Sequence, residues 1–199
     1  MTERTPLYIA LIYMALLAAY DATSALMPLW ASVYALAALE TAFFLSFRWV
    51  KLRYSSRGFY NALLLFFIWF MGVLLISPLL ASQEAVEELK AISVGGYLPV
   101  LITVYMLEEP VVSEAIFRGI LFQSMAANRR ALAYVVSSLA YALLMVAPET
   151  PADLLNAFMY FLLGLIFAYA YEKGGFTSAL LLHGIYSALY TATLVLSAV

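Results

Sequence analysis

Cysteine is absent from the 199 residues, and histidine occurs once. No disulfide framework, thiol nucleophile or cysteine zinc site can therefore be built. One imidazole cannot supply the three or four ligands of a zinc centre, so neither a metal nor a cofactor is expected. Charge is scarce as well: Asp, Glu, Lys and Arg make up 11% of the chain, against about 25% in an ordinary soluble domain. A formal net charge of −2 excludes a strongly basic nucleic-acid binder. What is abundant is apolar: 66% of residues are hydrophobic and the mean hydropathy is +0.96. A small soluble domain cannot hide that much apolar surface. The composition predicts an all-α, polytopic transmembrane helical bundle, one integral-membrane domain over residues 1–199, surrounded by lipid in the cell membrane.

The charges mark the turns. Residues 5–20, 22–39, 58–83, 91–107, 131–148 and 154–171 carry no Asp, Glu, Lys or Arg, and 174–199 holds only His183. A span needs roughly 20 apolar residues, so these runs predict about seven or eight helices. Strands of a membrane barrel would be about ten residues long with strict alternation, which is not the pattern here. The N-terminal run from Leu7 reads as a retained first span, because its leading segment is barely positive. Arg48, Lys51, Arg53 and Arg57 fill one loop, Arg129 and Arg130 a second, and Lys173 a third. The positive-inside rule puts these loops and the N-terminus on the cytoplasmic side. The segments Ser82–Lys90 and Pro148–Asp153 are acidic and fall outside. That arrangement requires residues 91–125 to cross once. As one helix they would be about 52 Å long, against a core of about 30 Å, so a break near Pro110 is expected.

Five ionisable positions stand out beyond the loops: Asp21, Glu40, Glu114, Arg118 and His183. A charge inside lipid is expensive and asks for a partner or a role. Asp21 and Glu40 fall near predicted helix ends and read as interfacial. Glu114 and Arg118, four apart, share a helix face embedded in Val111, Val112, Ala115, Ile116, Phe117, Ile120 and Leu121. Such a pair either locks two helices together or forms a polar site inside the bundle. His183 has Ser187 one turn later on the same face.

The stretch Pro110-Val-Val-Ser-Glu-Ala-Ile-Phe-Arg-Gly119 resembles the first motif of the CPBP family, the intramembrane glutamyl proteases related to the CAAX prenyl endopeptidase. Pro110, Glu114, Phe117, Arg118 and Gly119 match it. The second motif, a Phe-x-x-x-His step after Ser-Ser, is occupied by Ser137-Ser138-Leu-Ala-Tyr141-Ala-Leu-Leu-Met145. The third, a Gly-rich turn followed by His-x-x-x-Asn, is occupied by Gly174-Gly175 and then His183-Gly-Ile-Tyr-Ser187. Order and spacing hold over residues 110–187; the first hundred residues match only as hydrophobic spans. The resemblance implies a CAAX-protease-like helical bundle, a catalytic set of Glu114, His183 and Arg118, and a substrate pocket of Ser113, Phe117, Tyr141, Met145 and Ser187.

Three of the four core catalytic positions of that family are replaced. Ser113 stands where a Glu activates water, Met145 where a His stands, and Ser187 where an Asn helps hold the oxyanion. Peptide hydrolysis needs a base within reach of the water and donors aimed at the developing charge. Ser113 is no base near neutral pH, and Met145 offers no donor. Glu114 lies about 100° around the helix from Ser113 and does not simply replace the missing acid. The expected function is therefore that of a catalytically impaired relative. It would bind a hydrophobic peptide, a lipidated tail or a partner transmembrane protein, with no nucleic acid involved. The alternative is an active intramembrane endopeptidase using Glu114 and His183. A proton relay or transporter built on Asp21, Glu40, Glu114 and His183 is disfavoured, because no inverted repeat is evident.

Overall fold

A computed structural model describes residues 5–24, 26–46, 52–80, 96–146 and 150–198. Among the described residues there are seven helices and no strand. They are α1 (Thr5–Ser24), α2 (Leu29–Ser46), α3 (Ser56–Leu80), α4 (98–126), α5 (Arg130–Met145), α6 (Pro151–Gly174) and α7 (Phe176–Ala198). The acidic segment 82–90, Arg48 and Lys51, and the Asp21 side chain lie outside the described residues. Two helical stretches, Ser56–Ile76 and Pro151–Gly174, are long and apolar enough to cross a membrane. Only 11% of the first is buried inside the bundle. Its outward side chains include Leu64, Ile68 and Leu75, all largely exposed. An apolar exterior on this scale marks a surface that something other than water covers.

α4 departs from expectation. It does not break at Pro110 but winds wider. Two π-helical stretches, Val104–Glu108 and Glu114–Phe122, flank one α-turn at Glu109–Ser113. The cause is local. Proline has no N–H and its ring crowds the carbonyl one turn back, so an ordinary α-helix cannot pass through it unchanged. Widening the preceding turn removes the conflict, and the Glu109 N–H bonds to the Val104 carbonyl, five residues back. π-turns re-aim the side chains that follow, and here they lie at the acidic and basic positions of the chain's interior.

Small residues set the helix spacing. A Cβ on Gly164 in α6 would come within 2.9 Å of the Ser138 Cβ in α5. A Cβ on Gly58 in α3 would strike the Lys173 carbonyl. Backbones therefore approach closely on both sides of α6, the usual way helices associate where lipid removes the hydrophobic drive. α6 starts on a capping box: Thr150 Oγ1 accepts from the Asp153 N–H, and Asp153 Oδ2 accepts from the Thr150 N–H. It ends at Gly175, whose φ of +87° is the left-handed conformation glycine adopts freely. The turn into α7 that follows carries His183 back into the core. Tyr13, Phe66, Ile116, Phe117, Tyr141, Leu163, Phe167 and Leu182 make that core.

Candidate active site

Three helices meet around the middle of α4. His183, from α7, is fully buried and stacks on Phe167 of α6 at 4.5 Å. Tyr141 of α5 stands edge-on to it at 5.9 Å. These aromatic walls leave the imidazole only its two nitrogens for polar contact, and both face carboxylates. Nδ1 lies 3.0 Å from Glu114 Oε1, and Nε2 lies 3.2 Å from Glu109 Oε2. The second contact is at ion-pair distance without the alignment of a hydrogen bond.

Arg118 closes the other side of Glu114, with Nε 3.7 Å from Oε2. Its Nη2 donates to the Gly164 carbonyl at 3.0 Å. The guanidinium lies 5.0 Å from the Tyr141 ring centroid and 5.6 Å from that of Phe167. Arginine suits this place because its flat, weakly hydrated cation stacks on aromatic faces where an ammonium would remain unsatisfied. Glu109, Glu114, His183 and Arg118 form one buried electrostatic unit, two acids and two potential cations. With the imidazole protonated its charges sum to zero, as burial demands.

Of the residues expected in the catalytic set, Glu114, Arg118 and His183 are brought together, all fully buried. None of the three lines the cavity beside them. That cavity has a volume of about 240 Å³. Among the expected pocket residues, Tyr141, Met145 and Ser187 line it. Phe117 does not; it packs edge-on against Tyr141 at 5.5 Å. Ser113 is buried behind the wall and donates from Oγ to Glu109 Oε1 at 2.6 Å.

Glu109 is the residue of the site that motif reading missed. Its carboxylate lines the cavity, is held by Ser113 on one oxygen and faces His183 with the other. The signal was present in the spacing: Glu109 precedes Ser113 by four residues, one turn along the same face. Lying in Glu108-Glu109-Pro110, it reads as the end of an apolar run. Glu40 is a second correction. It is not interfacial but 2% exposed, and its Oε1 accepts a hydrogen bond from the Tyr13 hydroxyl at 2.8 Å across α1 and α2. Glu40 lines the same cavity. Glu108, beside Glu109, turns away and accepts from Thr41 Oγ1 at 3.0 Å. Among the described residues, no group of three or more His, Cys, Asp or Glu side chains is arranged to hold a metal ion.

A helical bundle with a Glu–Arg pair on one helix and a histidine delivered to it from the last helix has the layout of CAAX-protease-like proteins. Residues 95–189, a little under half of the chain, match the family model described as type II CAAX prenyl endopeptidase Rce1-like, which supports a CAAX-protease-like relationship for this segment. The matched segment contains every residue of the site except Tyr190 and those contributed by α1 and α2. No curated relative and no solved structure matches the chain.

Proposed function

We propose that this is a multi-pass integral membrane protein of the cell membrane, with its N-terminus on the cytoplasmic side. In this reading it is an intramembrane endopeptidase acting on a hydrophobic or lipidated peptide segment, with Glu109 as general base. One observation carries the reading: a carboxylate lines the cavity at the face that Ser113 vacates, 3.2 Å from His183. Water entering the cavity loses a proton to Glu109. Its oxygen adds to the peptide carbonyl carbon, and the proton passes on to the departing amine as the C–N bond breaks. Ser187, on the cavity wall, is the hydroxyl donor this reading assigns to the developing oxyanion. Glu114 and Arg118 do not touch substrate. They position His183, which in turn positions Glu109.

The test uses the purified protein in lipid nanodiscs with hydrophobic and prenylated peptides, read by mass spectrometry of new termini. Cleavage by the wild-type protein and its loss in Glu109→Gln support the reading. Cleavage that survives Glu109→Gln ends it.

A second reading, binding without cleavage, has its own support in Met145, which lines the cavity without a donor where the family carries a His. Peptide that photo-crosslinks to the cavity but is recovered intact from the wild-type protein favours this second reading.

A further inference from the structure

The cavity has features that hydrolysis does not use. Two carboxylates, Glu40 and Glu109, reach its wall, and among the described residues no Lys, Arg or His does. Glu109 has His183 beside it, and Glu114 and Arg118 complete that balance. Glu40 has no such partner. Among the described residues no ion pair includes it, and the Tyr13 hydroxyl donates to its Oε1. Its Oε2 is buried without a hydrogen-bond partner. A carboxyl so placed is costly as an anion unless it takes up a proton or something positive comes to it.

The rest of the wall is aromatic. Tyr141, Tyr160, Tyr186 and Tyr190 run along one side, with successive ring centroids 6.2, 6.3 and 6.0 Å apart. Tyr13 and Tyr20 of α1 line it as well. Ring faces attract cations, and cages of aromatic rings closed by a carboxylate are how proteins hold alkylammonium groups. The volume of about 240 Å³ is below the range of about 300–1,000 Å³ typical of drug-sized sites. It suits a single small cationic group. An uncharged apolar ligand would leave Glu40 Oε2 unsatisfied.

We infer that this cavity is a recognition site for an organic ammonium group, which Glu40 anchors and the tyrosines enclose. The group is either a free small amine or the ammonium of a lysine side chain on a bound peptide. The inference concerns binding alone and holds whether or not a bond is cut.

The experiment measures choline binding to the full chain in nanodiscs of uncharged lipid by titration calorimetry, at constant ionic strength. The control is the neutral isostere in which carbon replaces the quaternary nitrogen. Choline is expected to bind about tenfold or more tighter than the isostere. Glu40→Gln should remove that preference. Equal binding of choline and the isostere to the wild-type protein overturns the proposal and needs no variant to fold. An unchanged choline preference in folded Glu40→Gln also overturns it. Competition by a lysine-containing peptide, but not by its acetyl-lysine form, assigns the ammonium to a peptide. Choline binding that both peptides leave intact assigns it to a free amine.

Discussion

Ser113 donates its hydroxyl to Glu109 across 2.6 Å. The residue that replaces the family's water-activating carboxylate therefore holds another carboxylate, from one turn earlier, at the cavity wall. A serine at this position is useful only if an acceptor is near, because its buried hydroxyl would otherwise be unpaired. The substitution and Glu109 are thus two halves of one arrangement, and they separate in experiment. Glu109→Gln keeps shape and loses basicity, so peptide cleavage should fall by about 100-fold or more. Ser113→Ala frees one oxygen of Glu109 without removing it, so activity should fall by about tenfold while the fold persists. Mass-spectrometric cleavage rates, with circular dichroism as the folding control, check both. Ser113→Ala costing as much as Glu109→Gln would show that Ser113 does more than orient the carboxylate.

How much of this could be read beforehand differs between scaffold and site. Helices were legible because charge-free runs the length of a span leave few other structures available. Glu114, Arg118 and His183 were legible because motif and spacing pointed to one place. Glu109 was not, because a motif compares residues at fixed positions and cannot register a carboxylate supplied from a neighbouring turn. Nor were the π-turns around Pro110, where proline predicts a break and a wider turn is the cheaper solution. Glu40 was misplaced for a different reason. Its neighbour Tyr13 lies 27 residues away, and only packing of α1 on α2 brings the two together.

Helix spacing at α6 makes a stability test with an internal control. An added methyl at Gly164 meets Ser138 at 2.9 Å, whereas one at Gly72 meets nothing within 4 Å. Gly164→Ala should therefore destabilise by about 1–3 kcal/mol through overpacking. Gly72→Ala, in mid-helix, should be neutral or stabilising by about 0.5–1 kcal/mol. Thermal or denaturant unfolding of the two variants in the same detergent gives the comparison. Because the Gly164 carbonyl also accepts from Arg118, the first variant should shift the site as well.

The buried charges should behave as a unit. Arg118→Met leaves Glu114 with the imidazole alone and the site with surplus negative charge, at a cost of about 3–5 kcal/mol. Glu114→Gln has the opposite imbalance. In the double variant Glu114→Gln with Arg118→Met, the imbalance is relieved, so its loss should be well below the sum of the single losses. A double-mutant cycle on unfolding free energy measures this coupling. Additive losses would mean that the 3.7 Å contact contributes nothing.

The absence of cysteine offers a direct route to topology. Every introduced cysteine is the only thiol in the chain, so labelling by a membrane-impermeant maleimide has no background. Arg129, between α4 and α5, and Lys173, at the end of α6, carry positive charges, which the positive-inside rule expects on the cytoplasmic side. Both residues are exposed, Lys173 at 44% of its side chain. Arg129→Cys and Lys173→Cys should resist labelling in intact cells and react once the membrane is opened. Thr150→Cys, at the start of α6 between those two turns, should react in intact cells, because one helix separates it from each. Labelling of all three from the same side would exclude α5 and α6 as spans.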